Sequence, residues 1–296
     1  MNGDPPPREL ASGSLRIPSF EFPEDAARAL AHAAHYAHWR RRPKGRVVQP
    51  PGCRPVEAAA IIARNLAAGG GWLATGDLLA LLDCYGLPLI TARVVHSPQE
   101  AAAAAGELEV PVALKAIAPG LIHKSDAGGV LLGLHGATAV RAGARRMQTT
   151  LATAGYELQD LVVQPMADPG VELLVGVVHD ASFGPVIACG AGGTSAELLK
   201  DVAVRITPLT DVDAKEMLRS LKTFPLLDGY RGAPPCDVAA VEDVLLRLGA
   251  LVEAHPEVAE LDANPVVARP QGALILDARV RLSAAPPRQP VPALRS

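Results

Sequence analysis

The sequence is poor in aromatic residues, at 3% of the chain, and carries only four cysteines, Cys53, Cys84, Cys189 and Cys236, with no CxxC pair among them. Cysteines so widely spaced argue against a disulfide framework or a zinc site, and they suit a reducing cytoplasm. Charge of one sign is also missing. Lys and Arg number 28 against 31 Asp and Glu, a net charge of -3, so no basic surface points to nucleic acid and no polybasic run to a membrane. No apolar run approaches the roughly 20 residues that a bilayer-spanning helix needs. The opening "MNGDPPPREL" has neither the basic nor the apolar region of a signal peptide. No internal repeat is present. Alanine is plentiful, and 27 glycines and 27 prolines punctuate the chain into short elements.

Four stretches follow from that punctuation. Residues 1–20 are rich in Pro, Gly and Ser and are expected to be disordered. Residues 21–71 form a helical segment and linker. "FPEDAARALAHAAHYAHWRRRPKG" starts with Pro23 in its first turn, carries Ala26, Leu30, Ala33 and Ala37 as an apolar stripe, and stops at Pro43. "VEAAAIIARNLAAGGG" is a second helix closed by glycines. Residues 72–283 mix strands such as "PVALKAI", "LVVQPM" and "VELLVGVVHD" with helices such as "SPQEAAAAAGEL", where Ser97 is the cap and Pro98 the first helical position. Such a mixture implies an α/β or α+β domain. Residues 284–296 are a flexible tail. His32, His35 and His38 on the first helix read as a solvated face.

Four features carry chemistry. In "LDANPVVARPQGALILDARV" the Pro270–Gly272 stretch suits a tight turn between two strands. If Arg269 faces Gly272, counting back along both strands sets Asn264 opposite Asp277. Opposed residues share a sheet face about 4.5–5.5 Å apart. Two readings stand for them: a cross-strand polar pair, or an amide and a carboxylate oxygen for a hard cation such as Mg2+. A one-residue slip would abolish the second. Lys115 ends the apolar run "VAL", either as a snorkelling edge residue or as a fixed cation for phosphate oxygens. The glycines of "GAGGTSAELLKD" are either a plain turn or a backbone approach to an anion. In "GLIHKSDAGGV", His123 sits beside Lys124 and Asp126 with Gly128 and Gly129 behind it. It is either a loop hydrogen-bonding residue or an imidazole able to attack phosphorus or move a proton. None of the other histidines has this setting.

Taken together, "LLDCYGLPL", "VALKAIAPGLIHKSDAGGV", "VVQPMADPGVELLVGVVHDASFGPVIACGAGGTSAELLKDVAVRITPL", "LLDGYRG" and "LDANPVV…ILDARV" resemble the ATP-grasp domain of NDP-forming acyl-CoA synthetases, the ADP-forming acetate–CoA ligase group. These are relatives of the succinyl-CoA synthetase β subunit. The segments run in the family's order over residues 72–283. The first helix is similar to the segment just upstream of this domain in single-chain members.

The resemblance implies an α+β ATP-grasp fold of two subdomains, preceded by a short helical segment, with ATP or ADP and Mg2+ as cofactors. It assigns Lys115 to ATP phosphate and Asn264 and Asp277 to Mg2+. Gln164, Pro165 and Met166 fall near the adenine hinge, and Glu172 and Glu197 in the nucleotide and metal region. Arg205 and Arg231 are offered as phosphate partners. His123 matches the histidine that relays a phosphoryl group between this domain and a distant site. Complete family enzymes also carry a CoA-binding Rossmann unit and a further phosphorylated histidine, for which there is no room before residue 72. The expectation is therefore a β-type component that works with an α-type CoA-binding subunit or equivalent domain, through which acyl-CoA and acyl phosphate are handled. The alternatives are a non-catalytic nucleotide-binding regulatory module and a truncated remnant of a longer synthetase.

Overall fold

Periodicity of two from residue 112 onward, interrupted by three-to-four-residue periodicity in the alanine-rich stretches, resolves into two antiparallel sheets with helices packed on them. The structure is a computed structural model that describes residues 9–12, 14–121, 124–180, 182–193 and 200–285. The chain divides into two units, residues 1–45 and 46–296.

In the first unit, strands β1 (Glu9–Ser12) and β2 (Leu15–Pro18) pair as an antiparallel hairpin. Disorder was expected across 1–20, yet the described part of it forms this ribbon. The hairpin is followed by α1 (Pro23–Arg41), which has Pro23 at its start, Glu24 and Asp25 in the first turn and basic residues in the last. Those charges complement the helix dipole. None of its side chains is buried, the expected apolar stripe included, and His32, His35 and His38 are exposed.

The second unit begins with α2 (Pro55–Ala67), β3 (Gly71–Trp72) and α3 (Thr75–Asp83). The expected boundary at residue 72 separates α2 from the larger domain, whereas Ala58 and Ile62 of α2 are buried in the same core as α3 and the main sheet. Volume-filling against a sheet formed far downstream explains why a local reading missed this.

The next block is a small sheet. Its strands are β4 (Arg93–Val95), β5 (Val112–Ile117), β6 (Val130–Leu134) and β7 (Asp160–Pro165), in the order β4-β7-β5-β6. Helices α4 (Pro98–Leu108) and α5 (Gly136–Thr153) cover one face. Ser97 caps α4 as expected, its hydroxyl accepting from the Glu100 N–H at 3.1 Å. Ala101, Ala104 and Ala105 pack with Val140 and Ala144 of α5, and such small side chains let the two helices approach closely. Alternation along β5 turns Val112, Leu114 and Ala116 toward these helices and leaves Lys115 on the opposite face.

The large sheet is built from β8 (Val171–Asp180), β9 (Gly184–Ala191), β10 (Val202–Ile206), β11 (Val258–Ala268), β12 (Ala273–Ile275) and β13 (Ala278–Leu282) together with β3. Among the described residues the order is β10-β9-β8-β11-β13-β3, with β12 also paired to β11. Helices α6 (Asp211–Arg219), α7 (Phe224–Leu227) and α8 (Val238–Ala254) join α2 and α3 over one face. A capping box between Thr210 and Asp213 starts α6, and the Asp237 carboxylate starts α8 by accepting from the Ala240 N–H at 3.0 Å. Leu261, Ala263, Ala278 and Val280 point into this core. The alternate residues of β11 and β13 therefore face the other way, onto the site.

Candidate functional site

The site is built around the β11 hairpin, and its register is the one counted from the turn. The Arg269 N–H donates to the Gly272 carbonyl at 3.0 Å, and Val266 pairs with Ile275 and Ala263 with Ala278. Asn264 thus lies opposite Asp277, its N–H donating to the Asp277 carbonyl at 3.0 Å. One step along the same face, Asp262 opposes Arg279, and the two side chains form an ion pair at 2.9 Å. The Arg279 guanidinium also lies 5.1 Å from the Trp72 ring centroid, a cation–π arrangement.

Two clefts, of about 580 and 1060 Å3, open on this face and share a wall of Lys115, Lys124, Gln164, Leu276, Asp277 and Arg279. Strand β5 carries Lys115 to the wall. Its side chain is 9% exposed, and its ammonium donates to the Leu276 carbonyl at 2.7 Å. Burial pushes the Lys115 amine below the usual lysine range; the Asp277 carboxylate opposes that shift and Lys124 adds to it. The Asp277 carboxylate takes two hydrogen bonds, from the Ala278 N–H at 3.0 Å and from the Lys124 ammonium at 3.0 Å. Lys124 stands in the loop between β5 and β6. There the Gly129 N–H grips the Lys124 carbonyl at 2.7 Å, and a Cβ at Gly129 would stand only 3.0 Å from that oxygen. A larger residue there would push the Lys124 carbonyl back by a few tenths of an ångström.

The larger cleft also receives Gln164, Pro165 and Met166 from the end of β7, with Gln164 buried and Met166 exposed. The Met166 N–H is held by the Pro111 carbonyl at 2.8 Å, and its sulfur accepts from the Gly133 N–H at 3.4 Å. Glu172 lines the same cleft. Its backbone is opposite Val267, and its carbonyl accepts from the Gly192 N–H at 2.8 Å. The structure therefore brings Lys115, Gln164, Pro165, Met166, Glu172, Asn264 and Asp277 to one cleft. His123 and Glu197 lie outside the described residues. Arg205 and Arg231 line neither cleft. Arg205 lies 3.8 Å from Asp213 and 3.7 Å from Glu216, beside α6.

Lys124, Asp262 and Arg279 are among the polar residues at the site that were not singled out in the sequence. The signal for two of them was present. The hairpin count that opposes Asn264 and Asp277 also opposes Asp262 and Arg279, two residues along on the same face. Lys124 had no such signal, because its contact with Asp277 joins residues 153 apart.

Among the described residues, no group of three or more His, Cys, Asp or Glu is placed to hold a metal. An aspartate with an asparagine amide is instead a two-oxygen donor set open to a cleft. It fits a hard cation that completes its shell with phosphate oxygens and water.

Residues 64–282 match the family model described as an ATP-grasp domain. The chain belongs to the ATP-grasp family. Among curated ATP-grasp relatives, the acetate–CoA ligase [ADP-forming] I subunit beta of Pyrococcus furiosus is 36% identical over 68% of this chain and 88% of that subunit. The single-chain acetate–CoA ligase [ADP-forming] I of Archaeoglobus fulgidus is 34% identical over 91% of this chain, but that match spans only 39% of its own length. The dinucleotide-forming acetyl-coenzyme A synthetase 1 of Ca. Korarchaeum cryptofilum, solved with coenzyme A, Ca-AMPCP and HgCl+, is 35% identical. It covers 76% of this chain and 100% of its own, with a TM-score of 0.72. A second structure of that synthetase, with coenzyme A and Mg-AMPPCP, has a "phosphohistidine segment pointing towards nucleotide binding site"; it is 34% identical over the same coverage with a TM-score of 0.66. The two sheets described above are thus an ATP-grasp arrangement, and the expected α+β fold class holds.

Proposed function

We propose that this chain is the β-type ATP-grasp component of an ADP-forming acyl-CoA synthetase. It couples formation or cleavage of an acyl-CoA thioester to ATP and ADP, and it works with an α-type CoA-binding subunit or equivalent domain. The observation that carries this reading is the convergence of Lys115, Asn264 and Asp277 on one cleft wall, at the register that opposes the last two. Relatives named as β subunits support the need for a partner. Four free cysteines suit a reducing cytoplasm.

In the cleavage direction, acyl-CoA and inorganic phosphate yield acyl phosphate and CoA on the partner. The phosphoryl group passes from acyl phosphate to a partner histidine, freeing the carboxylate, then to His123 and finally to ADP. The first step exchanges the thioester C–S bond for a C–O bond to phosphate, and each phosphoryl transfer after it breaks one P–O or P–N bond and forms another. Such transfers require mainly in-line placement and neutralisation of charge. Lys115, anchored on the Leu276 carbonyl, meets phosphate oxygens with a fixed cation, and an arriving anion favours its charged form. Asn264 and Asp277 would hold Mg2+, which supplies further charge neutralisation. Gln164 to Met166 border the cleft where the nucleotide base would rest, and Glu172 lies across from them on the large sheet. Lys124, the residue after His123 in the sequence, lines both clefts. A free imidazole nitrogen takes the phosphoryl group, and its leaving restores that nitrogen for the next cycle.

The test is ATP-dependent acyl-CoA formation by this chain together with its CoA-binding partner. Asp277→Ala is expected to cut turnover by at least about 100-fold, since a metal contributes several kcal/mol to such a transition state. Undiminished turnover would remove the metal assignment.

A further inference from the structure

We infer that Lys124 is a positioning residue that keeps a divalent cation off Asp277 until polyphosphate arrives, making metal binding depend on nucleotide. The inference rests on the reading of Asn264 and Asp277 as metal ligands and assigns a new role to the residue beside them.

Both oxygens of the Asp277 carboxylate are already in use. Oδ1 accepts from the Ala278 N–H, and Oδ2 accepts from the Lys124 ammonium, each at 3.0 Å. The first bond is local, from the next residue in the chain, and leaves that oxygen a second lone pair with which to ligate. The second is an ion pair on the wall that the two clefts share, with Lys124 and Asp277 side chains 24% and 34% exposed. It places a positive charge on the oxygen a cation would take. A cation entering alone would meet that ammonium on one oxygen, with the Lys115 ammonium also held on the wall by the neighbouring Leu276 carbonyl. Other carboxylates line the larger cleft, Glu172 and Asp262 among them, but at Asp277 itself the Lys124 ammonium already occupies the oxygen that would meet the dication.

Polyphosphate changes the balance. Its oxygens provide new partners for a displaced Lys124 ammonium, so cation and nucleotide enter together more readily than the cation alone. Exchange is local. The Lys124 backbone is pinned through its carbonyl to the Gly129 N–H at 2.7 Å, while four rotatable side-chain bonds let the ammonium leave Asp277 and stay on the same wall. Because coupling is reciprocal, the same ammonium makes nucleotide binding more dependent on the cation.

The test is Mn2+ binding to the whole chain without nucleotide, followed by electron paramagnetic resonance of free Mn2+. Lys124→Met is expected to tighten Mn2+ binding at least about tenfold over the wild-type chain, and Lys124→Gln to act in the same direction. Lys124→Arg, which keeps the charge, is expected to stay within about threefold of wild type. The double variant Lys124→Met with Asp277→Asn is expected to lose what Lys124→Met gains. If neither neutral variant tightens binding while Asp277→Asn weakens it, the role given to Lys124 is wrong and the metal ligands stand. If the double variant binds as tightly as Lys124→Met alone, Asp277 is not a ligand, and the metal assignment fails with the inference. Equal thermal midpoints of the variants and wild type exclude unfolding as the source of any difference.

Discussion

Lys115 concentrates the chemistry of the site into one side chain. A lysine ammonium is costly to bury without compensation, and this one is compensated by a single carbonyl and a nearby carboxylate rather than by solvent. Lys115→Met is expected to weaken ADP binding by roughly 10- to 100-fold, the worth of a hydrogen bond to a charged group. Isothermal titration reads this directly, and an unchanged affinity would take Lys115 out of the nucleotide site. A second buried pair works at a distance from the site. The Tyr85 hydroxyl and the His255 Nε2 are 2.9 Å apart in the core. Burial holds the His255 imidazole below its ordinary value of 6.5 and pushes the Tyr85 hydroxyl up to about 12. Below about pH 6.5 the unfolded chain therefore binds more protons than the folded one, and stability falls with acidification until the folded-state value is passed. His179, also lowered by burial, acts with the same sign. The thermal midpoint is expected to drop between pH 7.5 and 5, and to drop less in His255→Gln. An equal drop in the variant would assign the acid sensitivity to other groups.

At the scale of elements, the β11 hairpin is what makes the site readable before any coordinates. A Pro–Gly turn fixes which residues oppose which, and period two then fixes which face they share. Asn264, Asp277 and, by the same count, Asp262 and Arg279 were therefore encoded locally. The Ser97 cap of α4 was legible for the same reason, because its partner is three residues away. What was not legible depends on contacts far apart in sequence: α2 completing the core of the large sheet, the two clefts meeting at one wall, and Lys124 reaching Asp277. The β8–β9 pairing gives a further test. A Cβ on Gly192 would stand 2.8 Å from the Glu172 carbonyl carbon and 2.9 Å from its oxygen, and backbone atoms inside a sheet do not yield cheaply. Gly192→Ala is expected to destabilise the fold by about 1–3 kcal/mol, measured by urea denaturation. A midpoint equal to wild type would show that β8 and β9 adjust freely there.

At the scale of the whole molecule, two sheets carry separate halves of one site. The small sheet contributes Lys115 and Gln164, and the large sheet contributes Glu172, Asn264, Asp277 and Arg279. Substitutions on either sheet should consequently fail in the same assay although they lie in different hydrophobic cores. On the proposed function, this wall moves a phosphoryl group between nucleotide and His123. That transfer is tested most directly by incubating the chain with Mg2+ and ATP carrying 32P at its terminal phosphate, then measuring protein-bound label that is lost in acid and kept in alkali. The wild-type chain is predicted to take up such label, with uptake abolished in His123→Asn and slowed by at least about 100-fold in Asp277→Ala. Equal labelling in either variant, or label that resists acid, would contradict the account.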